Sequence, residues 1–305
     1  MPKLLPMALR NRVAALRLAC LVYACIGSAM SAEPSPSLAA ALLAKYAELG
    51  PQLGDNPFKR PLYLQSTESP HYLKGDIYAL LDHPFATVDH ALDDPTHWCD
   101  VLILHLNTKY CRAGSDPATA STVLAVSIGS KTWESLDRAY RVNFVFNTAA
   151  TTPGYLDVTL AAQQGPLGTS DYRIQLEAVP TPDGKTFLHL TYSYTYDFSG
   201  ALAMRGYLAT IGSGKVGFTN IGPAGGPPEY IGGVRGVVER NTMRYYLAID
   251  AYLDALSAPP AEQFEQRLQE WFSATEHYPR QLHEIDRATY LDMKRREVRR
   301  QQTAP

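Results

Sequence analysis

The chain has 305 residues, with 28 Lys and Arg against 30 Asp and Glu and a formal net charge of −2. Charges of both signs are mixed along it, which excludes the single-sign groove of a nucleic-acid binder. Four cysteines are too few for a small disulfide-stapled scaffold.

The chain opens on a positive stretch, Lys3, Arg10, Arg12 and Arg17, followed by the apolar run Leu18 to Ile26 and the small residues Gly27 to Ala32. That is the order of a secretory signal, with cleavage expected near Ala29–Ala32 and a periplasmic or secreted product. The apolar run is shorter than the roughly 20 residues that span a bilayer, so a retained anchor is the weaker alternative. A lipoprotein reading fails because Arg17 lies three residues before Cys20 and Tyr23 is a poor neighbour for Cys25. The mature chain then holds only Cys99 and Cys111. In an oxidising compartment they are expected to pair, closing a short loop worth about 3 kcal/mol in the chain-entropy model. A zinc site would need His97 and His105 as further ligands, and no CxxC pair supports it. No metal and no cofactor is expected.

Ser37 to Leu49 reads as a helix, capped by Ser37 and stopped at Gly50–Pro51. The segments Pro61–Thr67 and His71–Leu81 read as two strands joined by a turn at Glu68–Pro70. Pro84 and Pro95 each open a short helix, the second capped by Asp94. His83, His90 and His97 recur every seven residues, but Pro95 breaks any shared helix face. Strands are expected next, in "KYCR" and "STVLAVSIG".

Four runs of period-two alternation follow: Tyr140–Phe146, Leu156–Leu160, Tyr172–Ala178 and Leu188–Tyr196. They predict an antiparallel sheet with one covered and one wet face. Gly165–Thr169 and Thr181–Gly184 supply the hairpin turns. His189 alternates with the apolar stripe, which places it on the wet face as an exposed histidine. Ala201–Ile211 is a short helix or irregular segment, and a glycine-rich link leads to the helix Val237–Leu256. On a wheel, Tyr245, Tyr246, Ile249, Tyr252, Leu253 and Leu256 share one arc, with Arg240, Arg244, Asp250 and Asp254 opposite. Two arginines four residues apart repel, so an anion should offset them. It is either a carboxylate of the C-terminal extension, such as Glu262, Glu265 or Glu270, or a ligand head group. Beyond Pro260, Phe264, Leu268, Trp271 and Phe272 share one face of a further helix, and the chain closes on the basic run Lys294–Arg300. That run reads as a solvated helix end, with weak attraction to a membrane surface as the sharper alternative.

No catalytic motif survives inspection. The "IGSGKVG" stretch fails the phosphate-loop pattern at Ala209 and Val216, and neither GxSxG nor HExxH occurs.

The order of elements, with "HWCDVLILHL" before the meander and "RGVVERNTMRYYLAIDAYL" after it, resembles the START-like helix-grip superfamily over Pro61 to Leu256. The resemblance implies an α+β fold in which a curved antiparallel sheet grips a long C-terminal helix around a hydrophobic ligand. Here it carries an extra helical C-terminal extension. The expected division is a signal segment 1–32, a helix and linker 33–60, the START-like domain 61–256 and the extension 257–305. Tyr192, Tyr194 and Tyr196 lie on the apolar side of one strand, and buried tyrosines suit an amphipathic cavity, since their hydroxyls need partners. With Tyr246, Ile249 and Leu253 they are the expected ligand wall, and Arg235 or Glu239 the anchor for a polar group. The functional expectation is a binding protein for a lipid or other hydrophobic small molecule rather than an enzyme. The alternatives are a cyclase- or hydrolase-like enzyme on the same fold, or an interaction protein docking a protein partner through its C-terminal helices.

Overall fold

The computed structural model describes residues 37–303 other than 153, 211 and 224, so the signal segment lies outside the described residues. The helix α1 (Leu38–Gly54) begins at Ser37, whose hydroxyl accepts from Ala40 N–H at 3.2 Å. It runs past Gly50 and carries Pro51 inside, one turn longer than the sequence suggested. The strands β1 (Leu62–Ser69) and β2 (Tyr72–Leu81) form a hairpin. The short helices α2 (Phe85–Leu92) and α3 (Pro95–Leu102) follow; Asp94 caps α3 as expected, whereas Pro84 precedes α2 at its N-cap position instead of opening it. Then come β3 (Thr108–Ser115), β4 (Thr122–Ile128), β5 (Tyr140–Thr152), β6 (Tyr155–Gln164), β7 (Thr169–Pro180) and β8 (Thr186–Tyr196). The helices α4 (Phe198–Ala209), α5 (Gly233–Asp254), α6 (Pro260–Glu276), α7 (Pro279–Leu282) and α8 (Arg287–Thr303) complete the chain.

The eight strands make one antiparallel sheet in the order β1-β2-β8-β7-β6-β5-β4-β3. Consecutive strands pair within β1–β2 and within β3–β8, and β2 pairs with β8 to join the first hairpin to the meander. The α5 helix lies on the apolar face. Gly75 of β2 permits the close approach, because a Cβ there would collide with Thr242 of α5. This is the α+β helix-grip arrangement that the sequence resemblance implied.

The extension packs on the far side of α5 from the sheet. Trp271 of α6 donates to the Arg244 carbonyl at 3.1 Å, and Tyr290 of α8 stacks on Trp271 at 5.0 Å. Thus α5 is covered along most of its length, and of its expected polar arc only Asp254 at the end stays exposed. Arg240 and Arg244 are 1% and 3% exposed. The sheet and the extension share one apolar core, which includes Leu190, Ile249, Leu268 and Tyr290.

A second, smaller core lies on the opposite face. Leu42, Leu49 and Leu53 of α1 meet Tyr155, Val179 and Phe187. Each such buried leucine stabilises by about 2 kcal/mol. The expected disulfide is present: Cys99 of α3 is bonded to Cys111 of β3. Among the described residues no helix is long and apolar enough to cross a membrane.

The C-terminal basic run is a solvated helix end only in part, with Arg296 and Arg299 exposed and Lys294 withdrawn. Lys294 is fully buried and donates to the carbonyls of His105 and Thr108 at 2.7 Å each. Arg295 pairs with Glu265, and Arg296 and Arg300 stack on Trp133 at 4.1 and 4.5 Å. Lys294 is thus withdrawn from the surface, whereas Arg295, Arg296 and Arg299 keep accessible side chains.

Candidate functional site

Alternation along β8 sends Tyr192 and Tyr194 towards α5, as the sequence indicated. Tyr194 stacks on Tyr172 of β7 at 5.1 Å, and Tyr192 meets Tyr245 of α5 at 5.2 Å. Tyr245 in turn stacks on His105, in the turn after α3, at 5.0 Å. Asn241, one turn before Tyr245, neighbours both the Tyr192 hydroxyl and the His105 ring. Tyr192 and Tyr194 are buried, whereas Tyr172, Asn241 and Tyr245 keep some accessible surface although they lie between sheet and helices. These side chains form an aromatic cluster, part of whose surface stays accessible, and this is the candidate recess.

Its polar atoms are sparsely partnered. Among the described residues the hydroxyls of Tyr194 and Tyr245 make no hydrogen bond. His105 accepts from Asn107 N–H at its Nδ1, 3.2 Å away, so its proton sits on Nε2. That nitrogen is buried without a hydrogen-bond partner. Burial, together with the Arg244 and Lys294 cations, holds the His105 pKa well below its ordinary value and keeps the ring neutral. Burial likewise raises the phenol pKa of Tyr194 and Tyr245. The recess offers neutral hydrogen-bonding points in an apolar wall, which is the general make-up of a small-molecule site.

The other expected wall residues are placed differently. Tyr196 sits at the rim, against His71, where a cleft of about 300 Å³ opens between Glu68, Met204 and Val234. Ile249 and Leu253 are core residues, 0% and 1% exposed. Tyr246 lies beside Arg60, Asp250 and Tyr278, so Tyr245 rather than Tyr246 faces the strand tyrosines. Adjacent helix positions diverge by about 100°, and one wheel arc contained both. Arg235 donates to Ser66, through Nε to its hydroxyl at 3.1 Å and through Nη2 to its carbonyl at 3.0 Å. Glu239 accepts from Ser66 Oγ at 2.6 Å, Phe218 N–H at 2.6 Å, Thr219 N–H at 3.0 Å and Thr219 Oγ1 at 2.7 Å. Both side chains thus tie the glycine-rich link and β1 to α5.

The anion that offsets the arginines also proves specific. Arg244 pairs with Glu284 at 2.8 Å, not with Glu262, Glu265 or Glu270. Arg240 has no carboxylate partner among the described residues. Its one hydrogen bond goes to the Val216 carbonyl at 3.2 Å, and its Nε is buried without a partner.

On the opposite sheet face, His189 is not the exposed histidine that alternation suggested. Its Nε2 donates to Asp76 at 2.9 Å and its Nδ1 to Glu177 at 3.0 Å, a pair of bonds that requires the imidazolium. Asp76 also meets Lys74 at 3.0 Å and accepts from Thr191 at 2.8 Å, while Glu177 accepts from Tyr155 at 2.6 Å. Beside this network a polar trough of about 1050 Å³ runs across the sheet, past Arg141, Asn143, Arg173 and Gln175. With both ring nitrogens donating to carboxylates, His189 is a fixed charge, not a free base.

No family model and no curated protein matches the chain. Among solved structures it is similar to human StAR-related lipid transfer protein 5, with 10% identity over 72% of this chain and 98% of that one, at a TM-score of 0.35. A conserved protein of unknown function from Enterococcus faecalis has 9% identity, over 70% and 91% of the two chains, with a TM-score of 0.34. CalU16 from Micromonospora echinospora has 10% identity, over 70% and 96%, with a TM-score of 0.29. A likeness at this level concerns the course of the chain and says nothing of ligand or activity.

Proposed function

We propose that this is an exported protein that binds a lipid or other hydrophobic small molecule in the recess between β7, β8 and α5. The observation that carries the reading is the set of interior tyrosines whose hydroxyls, at Tyr194 and Tyr245, have no partner in the described chain. Neither hydroxyl is among the buried atoms that lack a partner, so each faces space that water or a ligand can reach, where a packed core would favour Phe or Leu. A ligand with an apolar body and a polar group satisfies walls and hydroxyls together. Tyr172, Tyr192, Tyr194 and Tyr245 line it, and Asn241 and His105 supply its polar points.

A cyclase or hydrolase would need an acid and a base facing one substrate. The ionisable neighbours of His105 are the cations Arg244 and Lys294, which favours binding over catalysis. The extension is spent on enclosing α5, which weighs against a free docking arm.

The test is native mass spectrometry of the exported protein, with solvent extraction of co-purified apolar species. A bound species that is lost in Tyr245→Ala, with the fold retained by circular dichroism, is the expected result. Absence of any bound species, and no uptake of fluorescent fatty acids, would falsify the reading.

A further inference from the structure

A cavity of about 570 Å³ lies where three connecting segments meet: the turn before β1, the glycine-rich link before α5, and the α6–α7 junction. Its walls are aromatic. The Phe218 ring meets Phe58 at 5.8 Å and Tyr278 at 5.4 Å, centroid to centroid. The Tyr278 hydroxyl donates to the Phe58 carbonyl at 2.8 Å, which ties the turn to the α6–α7 junction. Tyr230 completes the wall, with the Arg280 guanidinium 5.1 Å from its ring.

The polar lining points to a ligand. Gln281 is 6% exposed and lines this cavity, yet its amide makes no hydrogen bond among the described residues. A buried amide needs partners for two donors and one acceptor. Its atoms are not among the sealed ones that lack a partner, so they face space that a ligand can reach. The charged lining is of one sign: Lys59 and Arg60 contribute to it, and no carboxylate does. Arg60 gives Nη1 to Asp250, and its other donors have no partner among the described residues. Lys59 has a φ of +54°, a left-handed conformation that long side chains seldom adopt. Asn56 holds this turn, accepting from Phe58 N–H at 3.0 Å and donating to the Arg60 carbonyl at 2.8 Å. Three successive residues, Phe58, Lys59 and Arg60, thereby line one cavity, where extended backbone would turn the middle one away.

We infer that this cavity is a second binding site, for a planar aromatic anion. The rings take its flat body. Arg60, Lys59 and the Gln281 amide take its oxyanion, a carboxylate or a phosphate monoester, by charge-assisted hydrogen bonds. The site shares no residue with the tyrosine recess, so the inference stands apart from the function proposed above.

Three probes with one ring system test this: naphthoate, naphthyl phosphate and naphthalenemethanol, each titrated into the exported protein by calorimetry. At least one anion should bind about tenfold more tightly than the alcohol, the value of one charge-assisted hydrogen bond. Naphthoate against naphthyl phosphate tells a carboxylate head from a phosphate one. Gln281→Leu should weaken the anions about tenfold, with the fold retained by circular dichroism. Lys59→Gly, which suits the left-handed backbone, should weaken them while the melting temperature holds or rises. Anion affinity unchanged in both variants overturns the inference. So does loss of binding in Tyr245→Ala, which would put the probes in the recess. Equal binding of the three probes removes the charge preference and overturns it too, as does binding of none.

Discussion

The imidazole of His189 lies flat on the phenol ring of Tyr78, with centroids 4.1 Å apart and planes 4° from parallel. Stacking holds the ring in the plane where Asp76 and Glu177 reach its two nitrogens. Burial opposes the imidazolium, but the bonds to Asp76 and Glu177 outweigh it, and the His189 pKa is raised. The bond from His189 lowers the Glu177 pKa, and bonds from His189, Lys74 and Thr191 overcome burial to lower that of Asp76.

The pH dependence follows from those directions. A raised histidine stabilises below its unfolded pKa of about 6.5 and loses this as pH rises through the folded value. The lowered carboxylates stabilise above about pH 4 and lose it as pH falls. The network therefore contributes most between about pH 4.5 and 6.5. His189→Gln should cost about 1–3 kcal/mol at pH 5.5 and less at pH 9, measured by urea unfolding. A gap that stays constant across that range would contradict the charged state of the ring.

Among the described residues Glu297 is the carboxylate that pairs with both buried lysines, 3.1 Å from Lys109 and 2.8 Å from Lys294. Burial lowers both lysine pKa values, that of Lys294 to about 8. The unfolded chain binds more protons than the folded one between about pH 8 and 10.5, so stability should rise with pH there. Glu297→Gln leaves two buried cations without a counterion and should cost about 3–5 kcal/mol at pH 6. The deficit should narrow by pH 9.5, where the lysines shed protons. Denaturant midpoints at the two pH values decide it.

Glu239 gathers four hydrogen bonds at zero exposure, so Glu239→Ala should destabilise by about 3 kcal/mol or more. The loss should be local first. Hydrogen exchange at the Phe218 and Thr219 amides is expected to speed up before that of β8. Uniform acceleration across the sheet would show that the carboxylate supports the whole fold rather than the link.

Opening the Cys99–Cys111 bond should cost about 3 kcal/mol, the loop-closure entropy for a separation of 12 residues. Thermal melts of the oxidised protein, the reduced protein and the Cys99→Ser/Cys111→Ser variant measure it. The two reduced forms should agree.

Elements whose burial is set by neighbours close in sequence were legible before any coordinates. The meander showed in the alternation of β5 to β8, and α3 showed in Asp94 followed by Pro95. Alternation tells which face a residue shares, but not whether that face stays wet. It placed His189 with Thr191 and Ser193, and could not show that Asp76 comes from β2, 113 positions away, to meet it. A helix wheel assumes one solvent side, and α5 is covered on all of its faces along most of its length. That is why Arg240 and Arg244 read as exposed and why Tyr245 and Tyr246 were not separated. The burial of Lys294 was hidden for a related reason: its acceptors are main-chain carbonyls of His105 and Thr108, which leave no mark in a sequence.

The enclosure of α5 also sets a schedule for synthesis. Helix α5 draws its neighbours from both ends of the chain: β1 and β2 are made before it, and α6 to α8 after it. While α5 emerges from the ribosome, Glu284 does not yet exist and Arg244 has no counter-charge. The helix that forms the back wall of the recess thus depends on segments from both sides of it in the sequence, and Arg244 gains its counter-charge only from the extension.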